Sequence, residues 1–443
     1  MSGLETPRRY FAIFAVSCGT ALTVMDGALP NVALPTIAQD LEIDPSSAVL
    51  IVSVYQLVLV MTLLPLAALG GRIGLRKLYQ GGLCLFIGAS LLCFMAPNFP
   101  LLLGARALQA LGAAAALSVA SALIRSIYPT RQLGRGIGIN TIIVASAGGI
   151  APILGGYIVS GIDWHWIFIA TTPLGLLSLA VGQRALPHID GHGQRISRLG
   201  ALLCALTFGL SISGLLALAG GYHLSTSLPV LLLGLATAVV FVRHELTQAT
   251  PILPVDLLGN RIVALSIAGA QFAFIASMAF LLSLPFRLQE NFGFSASEVG
   301  TAVAPFPLAL MIVAPLAGTL SDRYSPAVLG GVGMAIATAG MLLLAALPEG
   351  ATQLDIAWRM AVTGFGYGLF FPPNAKVILS AAPIERAASA GGLLATNRLA
   401  GQALGTALIA GLLAAGHGAD SSPALLGAVL TLMAGICSLA RLR

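Results

Sequence analysis

The chain has 443 residues, of which 57% are hydrophobic and only 9% are charged. This charge content, with a mean hydropathy of +0.95, excludes a water-soluble globular fold, in which about a quarter of the residues are charged. The net charge of +6 does not indicate a nucleic-acid partner, because the basic residues are scattered between apolar runs. The composition therefore indicates an integral membrane protein.

The five cysteines all lie inside apolar runs, and no spacing of metal ligands or nucleotide-binding glycines occurs. The sequence therefore predicts no metal, no cofactor and no ATP-driven step. It also lacks a nucleophile placed with its base, which argues against an enzyme. The N-terminal apolar run continues without a small-residue cleavage site and is interpreted as a retained first span rather than a signal peptide.

Fourteen apolar runs are long enough to cross a bilayer. A helix needs about 20 such residues to span a hydrocarbon core of roughly 30 Å. The sequence thus predicts an all-α integral membrane protein with 14 transmembrane helices. The runs cover residues 11–34, 48–70, 78–96, 99–124, 136–160, 165–183, 199–219, 226–242, 262–286, 297–320, 327–347, 356–380, 387–415 and 423–440.

Basic residues mark one side of this arrangement, because Lys and Arg concentrate in cytoplasmic loops. With the N-terminus inside, only Arg287 and Arg359 fall on the outer side. Both termini are then cytoplasmic, and a multi-pass protein of the bacterial plasma or inner membrane is expected. The predicted cytoplasmic cations are Arg8, Arg9, Arg72, Arg76, Lys77, Arg125, Arg131, Arg135, Arg184, Arg195, Arg198, Arg243, Arg261, Arg323, Arg386, Arg441 and Arg443.

A short motif follows both the second and the tenth run. Residues 69–77 read LGGRIGLRK and residues 320–324 read LSDRY, which places Arg323 at an offset of 251 from Arg72 (323 − 72). Such a parallel repeat predicts two bundles that rock against each other around a central cavity. The predicted domains are residues 1–190 and 251–443, six helices each, with two inserted helices in 191–250. Chance recurrence of a basic loop is the alternative.

Local patterns that resemble those of one transporter family lie in five segments, residues 25–35, 106–112, 147–156, 163–175 and 397–405. The chain resembles the major facilitator superfamily, and within it the fourteen-span drug:proton antiporters. The resemblance implies a major facilitator fold of two six-helix bundles plus two inserted helices, alternating access, and multidrug efflux by proton antiport of the kind that gives antibiotic resistance.

The sequence departs from the family patterns at several positions. Ala110, Ala147 and Ala151 replace usual glycines, while His165 and Thr171 replace the usual arginine and asparagine.

The resemblance also implies which residues gate the conformational change. They lie in the two repeated loops and at a seam of small residues in the fifth run, where Pro152 bends the helix. Gly71 stands where the family keeps an acid, although the second copy retains Asp322. The predicted gating residues are Gly71, Arg72, Gly74, Arg76, Pro152, Gly155, Gly156, Asp322 and Arg323.

Asp26 is the only carboxylate placed well inside a run, where an ionised group costs at least a few kcal/mol unless it faces a cavity or a partner. Burial raises the pKa of a carboxylate and a nearby cation lowers it, so such a group can exchange protons. Helix rise places Asp26 and Arg106 in the same outer half of the membrane. They are the predicted proton-coupling pair. The alternatives are a permanent structural pair and an arginine that snorkels to the headgroups.

Arg398 lies near the middle of the thirteenth run, where it cannot snorkel far and must find carbonyl groups, water or an anion. It is predicted to face the substrate cavity. In the twelfth run, prolines, glycines and aromatics between residues 364 and 374 predict irregular backbone beside that cavity, with lipid-facing or packed aromatics as the alternative. The predicted cavity residues are Asn31, Tyr55, Gln56, Gln109, Asn140, Tyr367, Phe370, Phe371, Asn397 and Arg398.

The leading functional hypothesis is a secondary active transporter that exports small hydrophobic or monocationic compounds in exchange for protons. The alternative is a proton-coupled carrier of an anionic metabolite, which would be bound by Arg106 and Arg398. A sensor or assembly subunit without transport is a third possibility. The expected partners are the small-molecule substrate, protons and the lipid bilayer. We expect a monomer that could use an adaptor protein.

Overall fold

The computed structural model describes residues 4–129, 133–188, 197–220, 223–248, 251–381 and 387–442, and all regular structure in these ranges is helical. Arg131, Arg195, Arg386 and Arg443, which were predicted to be cytoplasmic, lie outside them. The long helices are α1 (Arg8–Asp40), α2 (Pro45–Ile73), α3 (Leu75–Phe94), α4 (Phe99–Ile127), α5 (Leu133–Gly161), α6 (Trp166–Ala185), α7 (Arg198–Ala219), α8 (Leu224–Leu246), α9 (Arg261–Phe292), α10 (Ala296–Leu320), α11 (Pro326–Ala345), α12 (Gln353–Ala381), α13 (Ala387–Ala414) and α14 (Ser422–Leu442).

Each long helix coincides with one predicted run. Within the described residues, 11 are long and apolar enough to cross a membrane, and the other three are α5, α12 and α13. The largest differences are at the ends of α1 and α9, which continue to Asp40 and Phe292 instead of residues 34 and 286. Gly293 ends α9 with a φ of 70°, a backbone conformation that favours glycine.

Arg287 therefore lies inside α9, beyond the end at residue 286 that the sequence predicts for this helix. Its guanidinium is buried and donates hydrogen bonds to the carbonyl oxygens of Leu344 (2.8 Å) and Ala345 (3.2 Å) at the end of α11. A cation at the C-terminus of a helix compensates the unpaired carbonyl groups there. The residue fastens α9 to α11 instead of reporting topology.

The predicted irregular backbone in α12 was also wrong, because α12 is one continuous helix with its two prolines inside it. Its glycines serve close helix packing instead. A Cβ atom at Gly364 would lie 2.2 Å from the Phe306 carbonyl oxygen of α10, and one at Gly366 would lie 2.4 Å from the Gly333 carbonyl oxygen of α11. Small residues at such crossings let helix backbones meet within a membrane.

The two halves of the chain use the same helix neighbours. In the first half α1 packs on α5 and α6, while α4 packs on α2 and α3. In the second half α9 packs on α13 and α14, while α12 packs on α10 and α11. Each pair recurs eight helices later, as expected for a parallel repeat.

The helices α7 and α8 stand outside this pattern. They pack on each other, and α7 contacts α2 of the first half and α13 of the second. Little of α8 is buried. In its most apolar stretch of 18 residues, 17% of the residues lie inside the fold. Its apolar face therefore meets lipid, as expected for a helix at the periphery of a bundle.

The halves meet at the end of the bundle that the sequence assigns to the outside, along α5 and α10. A Cβ atom at Gly156 would lie 2.5 Å from the Ala296 carbonyl oxygen, and one at Gly300 would lie 2.3 Å from that of Pro152. The Ser297 amide also donates to Ser160 Oγ at 3.0 Å. Gly156 and Gly300 thus bring α5 and α10 into close contact at the end that the sequence assigns to the outside.

A cross-link between Ser160 and Ser297 should hold the outer end closed. In a background without native cysteines, we expect Ser160→Cys/Ser297→Cys to lose at least tenfold in transport after oxidation, because alternating access requires these helices to separate. Reduction should restore transport, and each single variant is the control. Full transport by the cross-linked protein would contradict this closure as part of the cycle.

Candidate functional site

A buried ion pair joins α1 to α4. Arg106 Nη1 donates to Asp26 Oδ2 at 2.8 Å, and the two side chains are 0% and 1% exposed. Both residues lie well inside their helices, where unpaired charges are costly. The structure therefore brings together the two residues that the sequence assigns to proton coupling.

Gln109 completes the polar contacts of the pair. One turn after Arg106 on α4, its Nε2 atom donates to Asp26 Oδ1 at 2.9 Å and to Ser90 Oγ of α3 at 2.8 Å, while its Oε1 atom accepts from Arg106. Both carboxylate oxygens of Asp26 are thus hydrogen-bonded. Gln109 was predicted to line the substrate cavity, but it is fully buried here and orients the ion pair.

Aromatic rings enclose the guanidinium. Arg106 Cζ lies 4.3 Å from the centre of the Tyr55 ring and 5.4 Å from that of Phe168. Such contacts stabilise a cation through the ring quadrupole. The Tyr55 hydroxyl group donates to the Thr23 carbonyl oxygen at 3.4 Å. Tyr55 is buried in this structure, where its ring covers Arg106, and its place in a substrate cavity stays a prediction.

The pair retains one unused donor. Arg106 Nη2 is buried and has no hydrogen-bond partner within the described part of the chain, and its Nε atom reaches only the Ile51 carbonyl oxygen at 3.4 Å. A guanidinium carries five N–H groups, two of them on Nη2, and each one left unpaired in the interior costs about 1–3 kcal/mol. The network therefore holds Arg106 by Asp26 and Gln109 alone on that side, and it weakens if Asp26 loses its charge.

The other predicted cavity residues of the first half lie apart from this network. The Asn140 Oδ1 atom accepts from Thr20 Oγ1 at 2.8 Å, which joins α5 to α1. Gln56 is 5% exposed, and its Oε1 atom has no partner within the described ranges. Asn31 lines a small apolar cavity of about 90 Å³ between α1, α5, α9 and α10, together with Pro152 and Phe306.

In α12, two of the three predicted cavity aromatics are fully buried. Phe370 packs between Gly269 of α9 and Gly330 of α11, and its assignment to the cavity stays a prediction. Tyr367 is likewise 0% exposed. Its ring centre lies 5.5 Å from those of Phe306 and Phe371.

Phe371 is the exception among these aromatics. It is half-buried and stacks on Phe274 of α9, with their ring centres 4.5 Å apart. Among the three predicted aromatics, Phe371 alone keeps an accessible face.

Arg398 is exposed although it is the twelfth residue of α13 and lies about 17 Å along the helix from its start. Its neighbour Asn397 is buried and donates from Nδ2 to the Ile267 carbonyl oxygen of α9 at 3.2 Å. No hydrogen bond or ion pair of Arg398 occurs within the described ranges. The two adjacent residues thus have opposite surroundings.

The repeated loops differ in their polar contacts. Gly74 ends the long helical segment of α2 with a φ of 103°, and Arg76 binds His188 Nδ1 at 2.6 Å, which ties α3 to the segment after α6. A Cβ atom at Gly71 would meet no heavy atom within 4 Å. Packing therefore does not require a glycine at this position, where the family keeps an acid. Arg72 and Arg323 are exposed.

In the second loop Asp322 forms an ion pair with Lys376 of α12, which also donates to the Ser321 carbonyl oxygen at 3.1 Å. Sequence reasoning missed Lys376, because a lysine near a helix end is usually explained by snorkelling to the interface. The repeat contains a signal that could have identified Lys376. Only the second loop retains the acid, so a basic partner is expected near the second loop.

Comparison with known proteins agrees with this architecture. The family profile of the Major Facilitator Superfamily matches residues 16–406 and, in a second match, 265–442. The chain belongs to this superfamily. It is 41% identical over 413 residues to the uncharacterized transporter YebQ of Escherichia coli, a match that covers 92% of this chain and 90% of the relative. The protein is thus a membrane transporter.

Two other relatives have named roles. The riboflavin transporter RibZ of Clostridioides difficile is 27% identical, with 92% of this chain and 89% of the relative covered. The multidrug resistance protein Stp of Mycobacterium tuberculosis is 29% identical, with 94% and 78% covered. The bacterial relatives and the many apolar helices make this superfamily member a multi-pass bacterial membrane protein.

Solved structures show the same fold. A bacterial homologue of the lysosomal transporter Spinster, in an inward-facing and unoccupied conformation, has a TM-score of 0.71 at 17% identity, with 99% of this chain and 98% of that chain covered. A POT family transporter bound to 5-aminolevulinic acid has a TM-score of 0.74 at 15% identity, with 97% and 95% covered.

Removing one partner of the buried pair should destabilise the protein. We expect Asp26→Ala to lower the free energy of unfolding by about 3–5 kcal/mol, because it leaves Arg106 charged, buried and unpaired. The double variant Asp26→Leu/Arg106→Met should recover most of the loss. Thermal unfolding in detergent, followed by intrinsic fluorescence, measures both. Equal stability of Asp26→Ala and wild type would show that the pair is not closed in the protein.

Charge reversal tests the second-loop pair. We expect Asp322→Lys and Lys376→Asp to reduce transport severalfold each, and the double reversal to restore most of it. Exposed pairs contribute only about 0–1 kcal/mol to stability, so unfolding temperatures should stay nearly constant. Two inactive single variants with an inactive double variant would mean that the residues act independently of their contact.

Proposed function

We propose that this transporter exports small hydrophobic organic compounds in exchange for protons, with Asp26 as the carboxylate that carries the proton. The observation that carries the proposal is the buried contact between Asp26 and Arg106. Among the described helices, Asp26 is the only acid far from a helix end. A carboxylate in such a position can bind a proton from one side of the membrane and release it on the other.

Protonation would act by weakening the link between α1 and α4. A neutral Asp26 no longer attracts Arg106, which then keeps only Gln109, the Ile51 carbonyl group and the aromatic rings around it. Because Nη2 has no acceptor among the described residues, movement of the guanidinium toward water or another acceptor would be favourable. Movement of the guanidinium would let α4 shift relative to α1. This shift is the proposed coupling of proton exchange to alternating access.

The relatives support export of organic compounds. The multidrug resistance protein Stp and the multidrug export protein EmrB of Haemophilus influenzae both match about nine-tenths of this chain, at 29% and 25% identity. Another relative, at 27% identity, is named as the riboflavin transporter RibZ. A place among the fourteen-span drug:proton antiporters, with both termini cytoplasmic, is part of the proposal.

Monocationic substrates receive less support than the sequence suggested. A cation needs a carboxylate that it can reach, but Asp26 is 1% exposed and already paired. Arg106 is equally unavailable to an anion, because the same pair neutralises it. We therefore propose hydrophobic compounds as the general class, with proton release from Asp26 driving export.

The coupling role of Asp26 is tested in inside-out membrane vesicles that hold a proton gradient, monitored with a pH-sensitive dye. We expect hydrophobic antibiotics to dissipate the gradient with wild type, and Asp26→Asn to reduce that flux at least tenfold, because an amide cannot carry a proton. The matched control is Asp355→Asn at the exposed start of α12. Unchanged flux through Asp26→Asn would remove Asp26 from the mechanism.

A further inference from the structure

Arg398 points toward the interior between the two halves of the bundle. On α13, the face that carries Asn397 and Gly401 contacts α9, while the face that carries Leu399 and Ala403 packs on α2. The helical angle of 100° per residue places Arg398 between these two faces. The remaining side, near Gly411, is covered by Ala219 of α7.

Exposure at this depth therefore means exposure to an internal cavity. The two halves are in close contact where α5 meets α10, at the end that the sequence assigns to the outside. A guanidinium in the middle of a membrane helix is tolerated when it faces water or an anion. Gln402, one turn further on the same face, is half-buried and adds a second polar group.

The charge of the cavity is then positive. The carboxylate of Asp26 is occupied by Arg106 and Gln109. Every other described acid lies in a connecting segment or in a terminal turn of a helix. Arg398 has no counterion within the described ranges. A cavity with a fixed, unneutralised arginine attracts anions and repels cations.

The surroundings of Arg398 are built to hold it in place. The Gln271 amide, with its nitrogen toward Asn397, donates to the Asn397 carbonyl oxygen at 3.0 Å and accepts from the Gly401 amide at 3.3 Å. Together with the bond from Asn397 to Ile267, these contacts fix α13 against α9. The backbone that carries Arg398 is therefore anchored, while no described residue binds its guanidinium.

An aromatic surface lies one turn from the arginine. A Cβ atom at Gly401 would lie 2.6 Å from Phe274 Cβ, so Phe274 sits at the level just beyond Arg398. Phe274 stacks on Phe371, and both rings are half-buried. Flat apolar groups pack well on such rings. The cavity thus places the Arg398 guanidinium, which can form two parallel hydrogen bonds, beside the apolar surface of Phe274 and Phe371.

We propose that Arg398 binds the negatively charged group of the substrate, and that the preferred substrates are aromatic carboxylates or related hydrophobic organic anions. The guanidinium would bind both carboxylate oxygens, and the ring system would rest on Phe274 and Phe371. This inference rests on the proposed export function and specifies its substrate class. Arg398 is a specificity residue in it, separate from the proton-carrying Asp26.

Three probes with one ring system test the inference: 2-naphthylacetate, its neutral N-methylamide, and (2-naphthylmethyl)trimethylammonium. Uptake into energised inside-out vesicles is measured for wild type, Arg398→Gln, Arg398→Lys and Arg398→Glu. The control is Arg125→Gln, which removes one exposed positive charge at the end of α4. Protection against thermal unfolding by each probe, measured in detergent, reports binding and folding independently of transport.

We expect wild type to transport the carboxylate at least tenfold faster than the cation. Arg398→Gln should lose at least tenfold for the carboxylate and little for the amide. Arg398→Lys should retain part of the activity, and Arg398→Glu should prefer the cation. Equal handling of carboxylate and cation by wild type, or wild-type carboxylate transport by Arg398→Gln, overturns the inference.

The two proposals fail in different ways. If the amide is exported in a manner that depends on Asp26 while Arg398→Gln leaves carboxylate transport unchanged, the export function stands and the anion site falls. If the carboxylate protects wild type but not Arg398→Gln against unfolding, and no probe is exported, the anion site stands and the export function falls.

Discussion

The buried contact between Asp26 and Arg106 is the constraint on which the first half of the protein depends. Two opposite charges held away from water stabilise each other only while both are present. The sequence surrounds them with groups that serve this contact: Gln109 on the carboxylate, Ser90 behind Gln109, and Tyr55 and Phe168 over the guanidinium. Four helices, α1 to α4, and the start of α6 therefore meet at one charge pair, whose strength depends on one proton.

The second half has no equivalent pair among the residues that the structure describes. At a comparable depth it carries Arg398, which is exposed and without a counterion. The repeat of helix neighbours makes this difference informative, because the same architecture surrounds a neutralised pair in one half and a free cation in the other. In the proposed division of work, the first half handles the proton and the second half handles the charge of the substrate.

Much of this arrangement could be predicted from the sequence, for identifiable reasons. Bilayer thickness fixes the length of a spanning helix, so the apolar runs located the helices to within a few residues. Helix rise is constant, so the similar depth of Asp26 and Arg106 could be estimated from residue counts. Rotation about the helix axis is not fixed in this way. For that reason the burial of Tyr55, Gln109 and Phe370 inside the bundles could not be predicted.

Two further errors have a common cause. Gly364 and its neighbours were interpreted as breaks in a helix, whereas in α12 they admit α10 and α11 to close contact. Lys376 shows in the sequence only its distance from the helix end, whereas in the structure Asp322 of the loop between α10 and α11 pairs with it. In both cases the sequence shows the properties of one helix, while the outcome depends on which neighbour packs against it.

The central claim is that Asp26 changes protonation during the transport cycle, and infrared difference spectroscopy on the purified protein in lipid measures this most directly. A titration should reveal a carboxylic acid band that grows as the pH falls, shifts when substrate is added, and is absent in Asp26→Asn. A spectrum in which Asp26→Asn and wild type show the same carboxyl bands at every pH, with or without substrate, would contradict the account and leave Asp26 as a permanent structural partner of Arg106.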